Sequence, residues 1–157
     1  MLALILTAAL SAQADVHRAF VVSAGLDDVV AWSFANRGAI QEAMHASVIE
    51  HDTIAGTIRL VCRTPRGTFD LIVHERTRKG VSTSGVPMAI YTTDLVECPS
   101  RNVLAESVAA TFWEVPAGTA VNIQVTIDVP AISKMGLSKG VGDALDRFQR
   151  LLAGRFR

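Results

Sequence analysis

The residues best placed to carry chemistry in this sequence are Glu75, Glu106 and Tyr91, together with four histidines and two cysteines. Glu75 and Glu106 can do acid–base work if buried, because burial moves a carboxyl group toward neutrality at physiological pH. Both fall near the ends of strand-like segments, and the expectation is that they stand in water. Tyr91 can donate a hydrogen bond from a largely apolar stretch. His17, His45, His51 and His74 lack metal-ligand spacing such as H-E-x-x-H, so no metal site is expected. His74 and Glu75 are not a working pair, since adjacent strand residues point to opposite faces.

Two glycine-rich stretches approach known motifs and miss them. Gly80-Val81-Ser82-Thr83-Ser84-Gly85 places the second glycine one residue too late for a G-x-S-x-G nucleophile elbow. It also falls between strands, where a hairpin loop is expected. Gly140-Val141-Gly142 has Leu145 where a dinucleotide fingerprint needs its third glycine, and no strand–helix–strand unit surrounds it. The residues therefore single out no catalytic group and no cofactor, and they lean away from an enzyme without deciding the matter.

The elements that must position these groups come from a chain of 157 residues, the usual size of one domain. Half of it is apolar, and fifteen basic residues balance fifteen acidic ones. No basic stripe is present to neutralise phosphates, which disfavours nucleic acid as a partner. Formal neutrality likewise disfavours steering to an anionic membrane. Residues 2–10 form an unbroken apolar run followed by Ser11-Ala12-Gln13-Ala14. The run is too short for the roughly 20 residues of a membrane span but matches a signal-peptide h-region of roughly 7–15. Ala12 and Ala14 supply an A-x-A cleavage site, so 1–14 is expected to be a signal peptide and 15–157 the mature domain, periplasmic or secreted. The n-region has no Lys or Arg. The alternatives are a buried first strand or a mis-assigned start.

Beyond Ala14 the pattern predicts a strand over 17–24, then short helices over about 27–36 and 39–45, the second with Ile40, Ala43 and Met44 on one side. Strands follow over 47–54, 57–63, the stretch from Phe69 to Arg76, 86–97, 102–115 and 119–129, with a loop from Lys79. In the last strand Val121, Ile123, Val125, Ile127 and Val129 face one way and Asn122, Gln124, Thr126 and Asp128 the other, the mark of a sheet with one wet face. Both faces of 102–115 are apolar, Val108, Ala110 and Phe112 against Ala109, Thr111 and Trp113, and the sequence does not choose between them. From about Ile132 the spacing becomes helical, with Val141, Ala144, Leu145, Phe148, Leu151 and Leu152 on one stripe. Gly136, Gly140 and Gly142 crowd the first half of this helix, which is expected to be loosened, kinked or closely approached. In meander order one strand separates Cys62 from Cys98, about two spacings of roughly 4.8 Å, so two separate thiols are expected.

This order predicts an α+β domain: a curved antiparallel sheet of about seven strands around a long C-terminal helix, with two short helices after the first strand. It resembles the START-like superfamily, also called SRPBCC or helix-grip, which includes polyketide cyclases and lipid-transfer proteins. The resemblance rests on residues 25–34, 57–69 and 118–129 and spans nearly the whole mature chain. It implies an apolar cavity between sheet and terminal helix. Carried onto this sequence, the wall would comprise Leu71 and Val73, Ala89 and Tyr91, Ile123 and Val125, and Met135, Val141, Leu145 and Phe148 from the tail. The glycine-rich start of the last helix would be the entrance. The function implied is binding or transport of a hydrophobic small molecule or lipid. The alternatives are a cyclase or dehydratase-like enzyme, and an interaction module whose cavity is filled by its own side chains. Ligand identity and oligomeric state are not legible.

Overall fold

The computed structural model describes residues 11–65 and 67–157. Seven strands form one antiparallel sheet in the order β1-β7-β6-β5-β4-β3-β2. They are β1 (Ser11–Val22), β2 (Ala46–Asp52), β3 (Thr57–Thr64), β4 (Gly67–Val81), β5 (Pro87–Glu97), β6 (Ala105–Val115) and β7 (Gly118–Pro130). Helices α1 (Leu26–Ala35) and α2 (Arg37–Ala43) follow β1, and α3 (Leu137–Arg155) ends the chain. The expected α+β arrangement of sheet, two short helices and one long helix is therefore present.

Strands β2 to β7 run as successive hairpins, while β1 returns to pair with β7. The sheet steps sideways at β4, which pairs with β3 from Gly67 to His74 and with β5 from Ile72 to Val81. The register shifts between Ile72 and Val73 where these pairings overlap, and again in β2 between Val48 and Glu50. A bulge bends and twists its strand, so both irregularities curl the sheet. The loop expected from Lys79 is instead strand as far as Val81, and the turn is confined to 82–86, where Val86 N donates to Ser82 Oγ. At the β6–β7 turn Gly118 has φ of 135° and lies against the backbone of Val22, leaving no room for a Cβ. Thr119 Oγ1 donates to Ala24 O at 2.8 Å, fixing the start of α1 beside that turn.

Helices α1 and α2 are separated by Asn36, whose Nδ2 donates to Trp32 O at 2.9 Å. Helix α3 packs mainly along β1. Arg18 Nε donates to Asp146 Oδ1 at 2.7 Å, and Arg147 Nε donates to Ala43 O at 2.7 Å, tying α3 to β1 and α2. Its buried face is Gly142, Leu145, Phe148 and Leu152. Each of the three large side chains contributes about 1.5–3 kcal/mol when fully buried, so they anchor the helix and the ion pair mainly orients it. The helix starts later than its apolar spacing predicts. Gly136 is left-handed, with φ of 74°, and separates a 3-10 turn at Ala131–Ser133 from the first helical residue.

The core has two parts. One joins Val29 and Val30 of α1, Phe112, Val121 and Ile123 of the sheet, and the buried face of α3. The other joins Ile58, Leu60, Leu71 and Val73 of β3 and β4 with Cys98 and Val103 of the β5–β6 connection. Cys62 and Cys98 are both free thiols, as expected, although both belong to this second part of the core. Burial pushes the Cys62 thiol up to about 12, with Cys98 adding to the rise. The apolar run at 2–10 lies outside the described residues. Ser11–Ala14 form the first four residues of β1, with Ala14 buried opposite Ile127.

Candidate functional site

The seam between the two parts of the core holds a cavity of about 130 Å³. Leu60, Leu71 and Val73 wall one side, Ala110, Phe112, Ile123 and Phe148 the other, and Tyr91, Thr93, Glu106, Val108 and Val125 join them along the sheet. Phe34, Arg37, Ile40, Gln41 and Met44 of α1 and α2 lie over the top. The walls follow from period two: residues of one parity on each strand face α1–α3.

Two polar groupings interrupt this surface. In the first, Arg37 donates from Nε and Nη2 to the two oxygens of Glu75, each at 2.7 Å. Tyr91 OH donates to Glu75 Oε2 at 2.8 Å, and His51 Nε2 lies 3.7 Å from Oε1. The Glu75 side chain is only 8% exposed, so this carboxylate is held inside by its partners. Burial, then the neighbouring carboxylate, raises the Tyr91 phenol well above its ordinary range, and it stays a proton donor.

In the second grouping Thr93 Oγ1 donates to Glu106 Oε1 at 2.9 Å. Glu106 Oε2 is enclosed and, among the described residues, no donor reaches it. The Glu106 carboxyl is pushed up to about 7 by burial, held back by the Thr93 hydrogen bond and raised further by Asp94. On the helix side Ser33 Oγ is also enclosed at the cavity wall without a partner among the described residues. Both carboxylates therefore correct the expectation that they stand in water, Glu75 from the middle of β4 and Glu106 from the second position of β6. Each shares its parity with apolar inward residues, Glu75 with Leu71 and Val73, Glu106 with Val108, Ala110 and Phe112.

Six residues of the expected wall line the cavity: Leu71, Val73, Tyr91, Ile123, Val125 and Phe148. Ala89 and Leu145 are fully buried in the core beside it but do not reach it, because α1 and α3 pack there. Val141 is half-buried on α3 away from the cavity. Beside the neighbouring Gly142 the guanidinium of Arg18 closes the helix face, 2.9 Å from where a Cβ would stand. Met135 is 85% exposed, since it precedes the left-handed Gly136 and is not on the helix at all. The glycine-rich start of α3 therefore does not border the cavity, whose helical roof comes from α1 and α2. Those roof residues were not expected as wall, although Ile40 and Met44 already shared one side of α2.

Among the described residues no set of three or more His, Cys, Asp or Glu is arranged to hold a metal ion. No helix among them is long and apolar enough to cross a membrane. No protein-family model matches the chain, and no curated protein matches it by sequence. Solved structures do match. An aromatase/cyclase from a Streptomyces species superposes with a TM-score of 0.59 at 13% identity, over 92% of this chain and 93% of its own. The fold is START-like. A START superfamily protein from Mycobacterium smegmatis matches with a TM-score of 0.51 at 13% identity, covering 94% of this chain and 97% of that one. A major latex-like protein from Panax ginseng gives 0.56 at 8% identity, with 94% and 99% covered. At these identities the likeness is one of START-like architecture, and the cavity's chemistry is this chain's own.

Proposed function

We propose that this protein binds a small hydrophobic molecule in the cavity between its sheet and helices. The observation that carries the proposal is the cavity itself, an apolar space of about 130 Å³ left open inside an otherwise closed core. A void of this kind forfeits packing contacts, which an apolar ligand restores. The scale favours a compact ligand: a cavity of roughly 150 Å³ accepts benzene, and a long acyl chain needs the roof of α1 and α2 to move. The START-like neighbours support the same class of function at the level of architecture. The signal-like run at 2–10 supports a site of action outside the cytoplasm. Protein recovered from its source and beginning at Asp15 is the expected result, and retained Met1 would overturn export.

Filling the cavity tests the binding proposal. Ala110→Leu adds three carbons to a wall residue that is 3% exposed. Native mass spectrometry of the protein from its source is expected to show a bound small molecule that the variant loses while remaining folded. A wild-type protein that carries no ligand and takes up no ring-sized apolar probe would refute the reading.

A second reading, an enzyme of the cyclase or dehydratase kind, is favoured by Glu106, a carboxyl near neutrality facing the cavity. Turnover abolished in Glu106→Gln with ligand uptake retained would support it over simple carriage.

A further inference from the structure

The two enclosed polar atoms on the cavity wall, Glu106 Oε2 and Ser33 Oγ, are costly as they stand. A buried polar atom without a hydrogen bond forfeits the solvation it had in the unfolded chain. A purely apolar ligand leaves both atoms unpaired. We propose that Glu106 selects the ligand, and that it selects a hydroxyl group carried on a compact, ring-sized apolar body. This rests on the cavity being a binding site and adds which chemistry it prefers.

The choice of a hydroxyl follows from what each candidate group can offer Glu106. Thr93 occupies Oε1, so one oxygen is left for the ligand. A carboxyl pushed up to about 7 is present in both protonation states around neutral pH. A ketone only accepts, so it pairs with the acid form alone, and an ammonium only donates, so it pairs with the carboxylate alone. A hydroxyl donates to the carboxylate and accepts from the acid, and therefore satisfies Oε2 in either state. Among the described residues no cation is among the groups that shift Glu106. Arg37, a cation in the roof, is committed through Nε and Nη2 to Glu75 and through Nη1 to Phe34 O. The other ionisable groups that bear on Glu106 are Asp94 and Tyr91 on β5 and Cys62 on β3. Burial keeps the phenol and the thiol neutral throughout this range.

Phenol, toluene and cyclohexanone test this, each being one six-membered ring with one substituent. Binding to the full chain is followed by ligand-observed NMR between pH 5.5 and 8.5. Phenol is expected to bind about tenfold tighter than toluene across that range, the worth of one buried hydrogen bond. Cyclohexanone is expected to weaken as pH rises through about 7, where Glu106 loses the proton it would donate. Glu106→Leu is expected to abolish the preference for phenol while toluene still binds, and Ser33→Ala to leave it in place. Equal binding of phenol and toluene to the wild type overturns the selection by Glu106 and leaves the cavity reading standing. A preference lost in Ser33→Ala but kept in Glu106→Leu overturns it in favour of the helix side. If none of the three binds, both readings fail together. Should Glu106→Leu not fold, Glu106→Gln with the pH series decides, because the cyclohexanone pH dependence must vanish in it.

Discussion

Glu106 and Glu75 are two inward carboxyl groups with opposite solutions to burial. Glu75 collects hydrogen bonds from Arg37 and Tyr91, whereas Glu106 has one hydroxyl partner and moves toward the neutral acid. The second solution makes stability depend on pH. Because its folded pKa lies above the unfolded value, Glu106 favours folding fully below about 4.5, and that contribution is lost as pH rises through about 7. The span corresponds to a loss on the order of 3 kcal/mol, at about 1.4 kcal/mol per pH unit. Glu106→Gln, which cannot ionise, is expected to flatten this segment of the stability profile and to be more stable than wild type at pH 8, as measured by urea unfolding from pH 4 to 9. Both profiles falling in parallel would show that Glu106 is not the group responsible. The sequence contained half of this. Glu106 shares its parity with Val108, Ala110 and Phe112, but both faces of that strand are apolar, and only the docking of α1 and α3 decides which is inside. Glu75 shares its parity with Leu71 and Val73, and its burial follows only from Arg37, which lies 38 positions away.

At the scale of elements, α2 is a short helix with no buried residue of its own, held over the cavity by side chains at its two ends. Arg37 grips Glu75 at the start, and Ala43 O accepts from Arg147 of α3 at the finish. Arg37→Ala strands a carboxylate that is 8% exposed, and a loss of about 3 kcal/mol in unfolding free energy is expected. Adding Glu75→Gln to that variant is expected to recover most of the loss, whereas an additive double variant would mean that the pair is not coupled. The periodic elements were legible because their apolar spacing and their packing agree, β7 above all. The misread boundaries have local causes. Gly136 delays α3 past Met135, so a residue assigned to the wall ends in water. β4 runs beyond Lys79 because β5 pairs with it as far as Val81.

For the whole molecule, the order β1-β7-β6-β5-β4-β3-β2 divides the sheet into neighbours in sequence and one distant pairing. Strands β2 to β7 meet through short connections, while β1 joins β7 across about a hundred residues, a closure that costs more chain entropy. Pulsed hydrogen exchange during refolding is expected to protect the amides of β5 and β6 before those of β1, and simultaneous protection of all three would contradict this order of assembly. Helix α3 lies along β1 and sends Phe148 into the cavity wall, so the last of the described elements in sequence must meet the first. A chain emerging from the ribosome therefore carries the sheet's apolar inner face as an open trough until Phe148 has been added and α3 has folded back. During that interval the surface meant for a ligand is open to any other apolar surface, and a stalled or truncated product is a candidate for chaperone capture and aggregation.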